Sequence, residues 1–321
     1  MTWQTRLRNA FTSQEGILFI ITILAVLLIS LQTDRFLTVN NLLSQARLMI
    51  EVALIALPMT YIIITGGIDL SVGSIFGLSA IVLGFVWQDG GWPLELAIIL
   101  GIVVATVAGF INGAFIVWIG VPPLIMTLAT LALYRGLALG ISEARSASGF
   151  PSWFFEIGAG NTLGLPNQLW IFIIAAVFFG VVLSRTVFGR WIYAIGNNEV
   201  GARFAGVPVA WAKLTIYTLS GFMAGLAAWI FTARISTTRS DMGSGLELNV
   251  IAAVVLGGTS IFGGSGSIFG TVLGVVLIQI LRNGLSLAGM KGDATIVAIG
   301  TILILSVLLN SFIQRRLSSR G

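Results

Sequence analysis

The sequence predicts an all-α, polytopic transmembrane helical bundle of about ten spans, some of them short or broken, and three observations predict it. Hydrophobic residues make up 57% of the 321 positions and charged residues only 9%, too little polar surface for a water-soluble globule. The apolar residues gather into runs close to the ~20 residues a helix needs to cross the hydrocarbon, and over such runs a helix satisfies its own backbone without water. Lys and Arg, which give a net charge of +5, stand at the ends of these runs and form no basic stripe. They orient the chain in a bilayer and give no nucleic-acid surface. With neither Cys nor His, the chain has no disulfide, no thiolate or imidazole metal site, and no Cys or His nucleophile or base.

In order, the expected spans are 16–33, 42–65, 71–87, 94–118, 122–142, 167–184, 212–234, 247–260, 265–285 and 293–312, all within a single transmembrane domain, 1–321. The first follows Arg6 and Arg8, and the "SLQTDRF" after it has no small-x-small cleavage site, so it reads as an uncleaved span starting in the cytoplasm. The spans 71–87 and 247–260 are short and edged by glycine, which marks them as candidates for broken or re-entrant helices. Ten crossings return both termini to the cytoplasm. Arg6, Arg8, Arg185, Arg190, Arg203, Lys213, Arg315, Arg316 and Arg320 then lie inside, and Asp34, Asp89, Glu143, Glu156, Asp241 and Asp293 outside, as the positive-inside rule expects.

The longest inside loop, about 185–211, holds the polar stretch "GNNEVGARFAGVPVAWAK", Gly196 to Lys213. Asn197 or Asn198 fits an N-cap, Glu199 sits in a first turn where the helix dipole favours an anion, Gly206 fits the position after the last turn, and Pro208 stops the helix. A helix of roughly two turns is marginal alone in water and must pack against something. Val200 and Phe204 form one row at i,i+4, and Glu199 and Arg203 a charged second row. The helix either lies on the chain's own membrane domain or docks to a partner.

Four other residues stand out. In "TGGIDLSVG", the carboxylate of Asp69 near the hydrocarbon must face a cavity, a partner or water. Capping the helix that begins near Ser71, itself a candidate cap, is the favoured local role, and lining a translocation path is the second reading. Glu51 follows Arg47 by one turn, which predicts an intrahelical pair. Arg135, in 122–142, has no opposite charge at i±4. It is expected to snorkel outward or to reach Glu51, with a substrate-facing role as an alternative. "GSIFG" occurs at 73–77 and at 266–270, each time opening an apolar helix after a glycine cluster, which suggests an internal repeat of the kind found in transporters. The glycines of 257–274 fit close helix contacts.

"NNEVGARFAGV", with Glu199 and Ala202 three apart and Gly206 seven after the glutamate, resembles the cytoplasmic coupling motif of ABC importer permeases. Val200 and Gly201 depart from its classical form. "ITGGIDLSVGSIFGLSA" at 64–80, "GRWIYAIGNNE" at 189–199 and "LNVIAAVVLGGTSIFGGSGSIFGTVLG" at 248–274 are similar to permease subunits of ribose-type sugar importers, a group that includes autoinducer-2 permeases. The likeness runs from about 36 to 312. It implies the ABC importer permease architecture in the bacterial inner membrane. It also implies a loop helix (Asn197, Asn198, Glu199, Ala202, Arg203, Gly206) seated in a groove of a cytoplasmic ATPase subunit. The further partners are a second permease copy or paralogue, a periplasmic or surface solute-binding protein, and a sugar substrate. No cofactor is expected on this chain, and ATP and magnesium belong to the ATPase.

The chain lacks a phosphate loop of its own: "GLSLAGMKGD", Gly284 to Asp293, has Met290 before Lys291 and no Ser or Thr after it. It reads as a transport subunit and not an enzyme, since no paired acids, metal ligands or nucleophile with a base converge. Two rival readings remain: a gradient-coupled secondary transporter with Asp69 as the coupling carboxylate, and a branched-chain amino acid ABC permease.

Overall fold

The chain's computed structural model describes residues 14–290 together with positions 294, 297, 300 and 301. Its centre is built from two short helices, α3 (Ile50–Ile64) and α4 (Val72–Gln88), joined by the 65–71 break. Val52 is the one residue of α3 left partly open, and Val72 to Phe85 of α4 are all buried. A helix apolar all round is a core helix, and here it is walled off from lipid by its neighbours. α2 (Val39–Leu48) precedes α3 and is bent 47° from it at Met49. Pro58 inside α3 removes one ladder hydrogen bond.

Around this centre stand α1 (Gln14–Gln32), α5 (Leu94–Ala114, ending in a π turn at Phe115–Ile119), α6 (Pro123–Ser142), α8 (Asn167–Arg185), α11 (Val209–Ile235) and α13 (Ile268–Leu287). Pro123 opens α6 where a missing N–H costs nothing. The outer faces of α1, α5, α6 and α8 carry exposed Leu, Ile, Val and Phe, as lipid-facing surfaces do. α5 and α11 approach backbone to backbone: a Cβ on Gly109 would overlap the Tyr217 carbonyl, and one on Gly221 the Ala105 carbonyl. Small residues permit such contact in membranes, where dispersion replaces the hydrophobic drive. The expected close contacts of 257–274 are present, with Gly257, Gly270 and Gly274 joining α12 (Leu246–Leu256) to α13.

The short elements lie at the ends of the bundle. α7 (Ser152–Ala159) follows strand β1 (Ala147–Ser148), which pairs antiparallel with β4 (Thr237–Thr238). β2 (Asn161–Thr162) and β3 (Leu165–Pro166) form a tight hairpin through Leu163 and Gly164, both at positive φ, the backbone that two-residue hairpins favour. α9 (Val187–Asn197) and α10 (Glu199–Phe204) close the opposite end.

The described residues hold six helices long and apolar enough to cross a membrane, or seven with α2 and α3 as one bent span, where the sequence predicts about ten. The expected span 42–65 is broken at Met49. The short candidates 71–87 and 247–260 become α4, of 17 residues, at the lower limit of a crossing helix, and α12, of 11 residues, which is well under it. The span 293–312 lies outside the described residues apart from four positions. The "GSIFG" repeat is not a structural one. Gly73 and Gly77 lie inside α4, whereas Gly266 precedes α13 at φ +155° and Ser267 Oγ caps that helix, accepting from the Gly270 N–H at 3.0 Å.

Candidate coupling face and buried polar centre

α9 and α10 form one fixed unit. α9 turns its Ile192 and Ile195 side inward. Gly196 at its end sits so close to the Ile64 carbonyl that no Cβ would fit. Asn198 breaks out to extended backbone (φ −162°, ψ 99°), and its Oδ1 accepts from the Gly201 N–H at 2.8 Å, so of the two candidate caps Asn198 holds the position. Asn197 instead lies beside Gly264, its Oδ1 2.6 Å from where a Cβ on that glycine would be. Glu199 accepts from Lys213 Nζ at 2.5 Å and, more weakly, from Arg203 at 3.4 Å. Lys213 is the partner the sequence reading missed, because fourteen residues separate the two across the Pro208 turn.

Ala202 is the residue of α10 that packs home, into a small cluster with Ile195, Val209 and Ala212. Gly206 has φ +81° and ends the unit, as expected. Val200 and Phe204, by contrast, are 65% and 89% exposed. The apolar row of α10 therefore does not lie on the chain's own membrane domain.

The second constellation is the 65–71 break. Asp69 is 0% exposed. Its Oδ1 accepts from the Ser71 N–H at 3.0 Å and the Ser71 hydroxyl at 2.6 Å, and its Oδ2 from the Ser220 hydroxyl of α11 at 3.0 Å. Asn112 of α5 donates to Ser71 Oγ at 2.7 Å, and Thr127 of α6 donates to the Ile68 carbonyl at 3.1 Å. Gly67 is glycine because a Cβ there would stand 2.7 Å from the Tyr217 hydroxyl. Asp69 thus does cap the turn at Ser71 and ties the break to α11, while Ser71 and the Ile68 carbonyl tie it to α5 and α6. Ser71 occupies the N-cap position of α4 but makes no side-chain cap bond. Its hydroxyl serves Asp69 instead. Asp69 has no cation partner among the described residues and faces the interior, away from any open surface of this chain. Ser220, Asn112 and Thr127 were missed because nothing in their local sequence separates them from ordinary polar residues of a span.

Two sequence expectations are corrected. Glu51 does not pair with Arg47. It pairs with Arg234 of α11 at 2.6 Å, the two side chains 6% and 16% exposed, while Arg47 donates to Asn161 of the hairpin at 2.7 Å. The bend at Met49 sets Arg47 and Glu51 on different helices, so the one-turn spacing does not hold them together. Arg135 neither snorkels outward nor reaches Glu51. It donates to the Ser240 and Met242 carbonyls at 2.9 and 2.8 Å, over Gly77, and pins the approach to α12. No group of three or more His, Cys, Asp or Glu residues fit to hold a metal occurs among the described residues.

A family model described as "Branched-chain amino acid transport system / permease component" matches residues 41–308. The Autoinducer 2 import system permease protein LsrD of Yersinia pseudotuberculosis is 37% identical over 315 residues, covering 93% of this chain and 94% of its own. The protein of that name from Photorhabdus temperata is 39% identical over 313 residues, covering 96% and 94%. No solved structure matches the chain. The match over most of its length, on a bundle of apolar helices whose breaks carry the polar residues, makes this protein a permease of the ABC transporter family in which the ribose-type sugar permeases fall.

Proposed function

We propose that the chain is a permease subunit of an ATP-driven importer in the bacterial inner membrane, carrying a monosaccharide or a similar polyol-like solute such as autoinducer 2 into the cytoplasm. The observation that carries this reading is the exposed pair Val200 and Phe204 on a helix whose other side is fixed by Ala202, the Asn198 cap and the Glu199–Lys213 pair. Adjacent exposed apolar side chains on a rigid mount outside the spans fit a contact site. The end bearing α10 is read as cytoplasmic from the charge distribution along the sequence, and the occupant of that site as an ABC ATPase subunit, which holds the ATP and magnesium. A second permease copy or paralogue completes the path, and a solute-binding protein delivers the cargo. The autoinducer-2 suggestion rests on the names of the relatives.

Reconstituted with its ATPase and binding protein, Phe204→Asp is expected to leave insertion intact, since Phe204 touches little of its own fold, and to reduce solute-stimulated ATP hydrolysis by about tenfold or more. Unchanged hydrolysis would refute the reading. Uptake of autoinducer 2, ribose and leucine in parallel separates the sugar-type assignment from the amino acid one: leucine uptake alone would overturn it. The gradient-coupled alternative needs the coupling ion to reach Asp69, and a carboxylate wholly enclosed among three donors argues against that access.

A further inference from the structure

The loop between α12 and α13, residues 257–267, reaches the same end of the molecule as α10. Its backbone shape is one that L side chains rarely adopt: Gly258, Gly263, Gly264 and Gly266 have φ of +91°, +86°, +78° and +155°. The tip is closed on itself, the Ser260 N–H donating to the Ser265 carbonyl and the Gly263 N–H to the Ser260 carbonyl, each at 3.0 Å. The base is tied at three points. The Gly264 N–H donates to the Ile64 carbonyl at 2.9 Å, the Tyr193 hydroxyl of α9 to the Gly266 carbonyl at 2.7 Å, and Ser267 Oγ to Glu15 at 2.7 Å. On this braced loop Phe262 is 96% exposed, with Ile261 beside it at 44%.

We infer that this loop is a second docking element for the ATPase subunit, with Phe262 as its anchor, a proposal that rests on the reading of α10 as the first. A rigid, already ordered aromatic loses little freedom on binding and is the residue type that dominates contact energies when it enters an apolar pocket. The loop abuts Asn197, the residue before the α10 cap, so one partner can cover both. A lipid surface is the poorer fit. Membrane-surface segments pair their aromatics with Lys and Arg, and no charged residue occurs from Leu248 to Leu281. The partner's complement is therefore an apolar pocket beside the groove that takes Val200 and Phe204.

The test uses the complete transporter in nanodiscs. Phe262→Asp is expected to lower stimulated ATP hydrolysis about tenfold or more, the loss typical of a removed anchor, while Phe262→Leu retains most of it. Because the chain has no cysteine, Phe262→Cys places a single thiol, which should cross-link to the ATPase. Loss of coupling in Phe204→Asp with none in Phe262→Asp overturns this inference and leaves the role of α10 standing. Indifference to both substitutions removes the docking reading itself. A polarity-sensitive dye on Phe262→Cys that reports immersion in lipid after the ATPase is stripped away also overturns it, by making the loop a membrane anchor.

Discussion

Glu51 and Arg234 form an ion pair held almost entirely out of water, and removing one partner of such a pair leaves a charge with nothing to balance it. Glu51→Gln or Arg234→Met is expected to destabilise the purified protein by about 3–5 kcal/mol, with the double substitution costing much less than the sum. Arg47→Ala, which loses one hydrogen bond to Asn161, should cost about 0.5–1.5 kcal/mol. Thermal unfolding in detergent separates these outcomes, and a larger loss for Arg47→Ala would restore the intrahelical pair. Asp69→Asn puts an amide donor where three donors already converge, so a loss of about 1–3 kcal/mol in the same assay and reduced uptake are expected, without any requirement for a proton gradient. That Asp69 needed polar partners was legible, since an acid beside apolar runs must be satisfied somewhere. Its partner Ser220, and Asn112 and Thr127, which hold Ser71 and the Ile68 carbonyl beside it, were not, because each contact joins segments far apart in sequence and a polar side chain in a span carries no local mark of its use. Glu51 misled for a related reason: spacing predicts a pair only while the helix stays straight.

Among the elements, α10 was readable down to its terminus, since an N-cap, a first-turn acid and a positive-φ glycine are local chemistry. α9 was not foreseen. Its polar termini made 185–211 look like one loop, although Phe188, Ile192 and Ile195 already had helical spacing. The short helix α3 shows the opposite failure, in which apolar composition was right and length was wrong, because 42–65 is broken at Met49, whereas α4 has the short length expected for 71–87. A helix enclosed by α5, α6, α11 and α13 has no need to match the bilayer. The α5–α11 contact gives a direct check. Gly109→Val sets branched carbons where the Tyr217 carbonyl and Gly221 backbone already lie, so the helices must part. Overpacking of this kind costs about 1–3 kcal/mol or more, and the yield of folded protein from membranes should fall, whereas Gly136→Ala on α6, with open space around it, should behave as the parent.

Over the whole molecule the contacts sort into two ends. Ile64, Gly196 and Gly264 meet at one, and the Glu51–Arg234 pair with the β1–β4 strap at the other. The alternation of helices anticipated that arrangement, because it follows from counting crossings, although the described residues hold six or seven full-length crossings. The motor is expected to be external: liposomes holding this chain alone should take up no solute, and activity should appear only when a separate ATPase is supplied with ATP and magnesium. One seat decides where that work is delivered. Gly196 rests on the last carbonyl of α3, and α3 is the post around which the rest is stacked. On the proposed reading, a tug on α10 passes through this seat to the innermost helix and along it to the far end, and α8, whose Phe179 carbonyl accepts from Tyr61 of α3, moves with it. Paired spin labels across α3 and α11 near Glu51 should change separation through the nucleotide cycle, and a pair on α8 and α9 should keep its spacing.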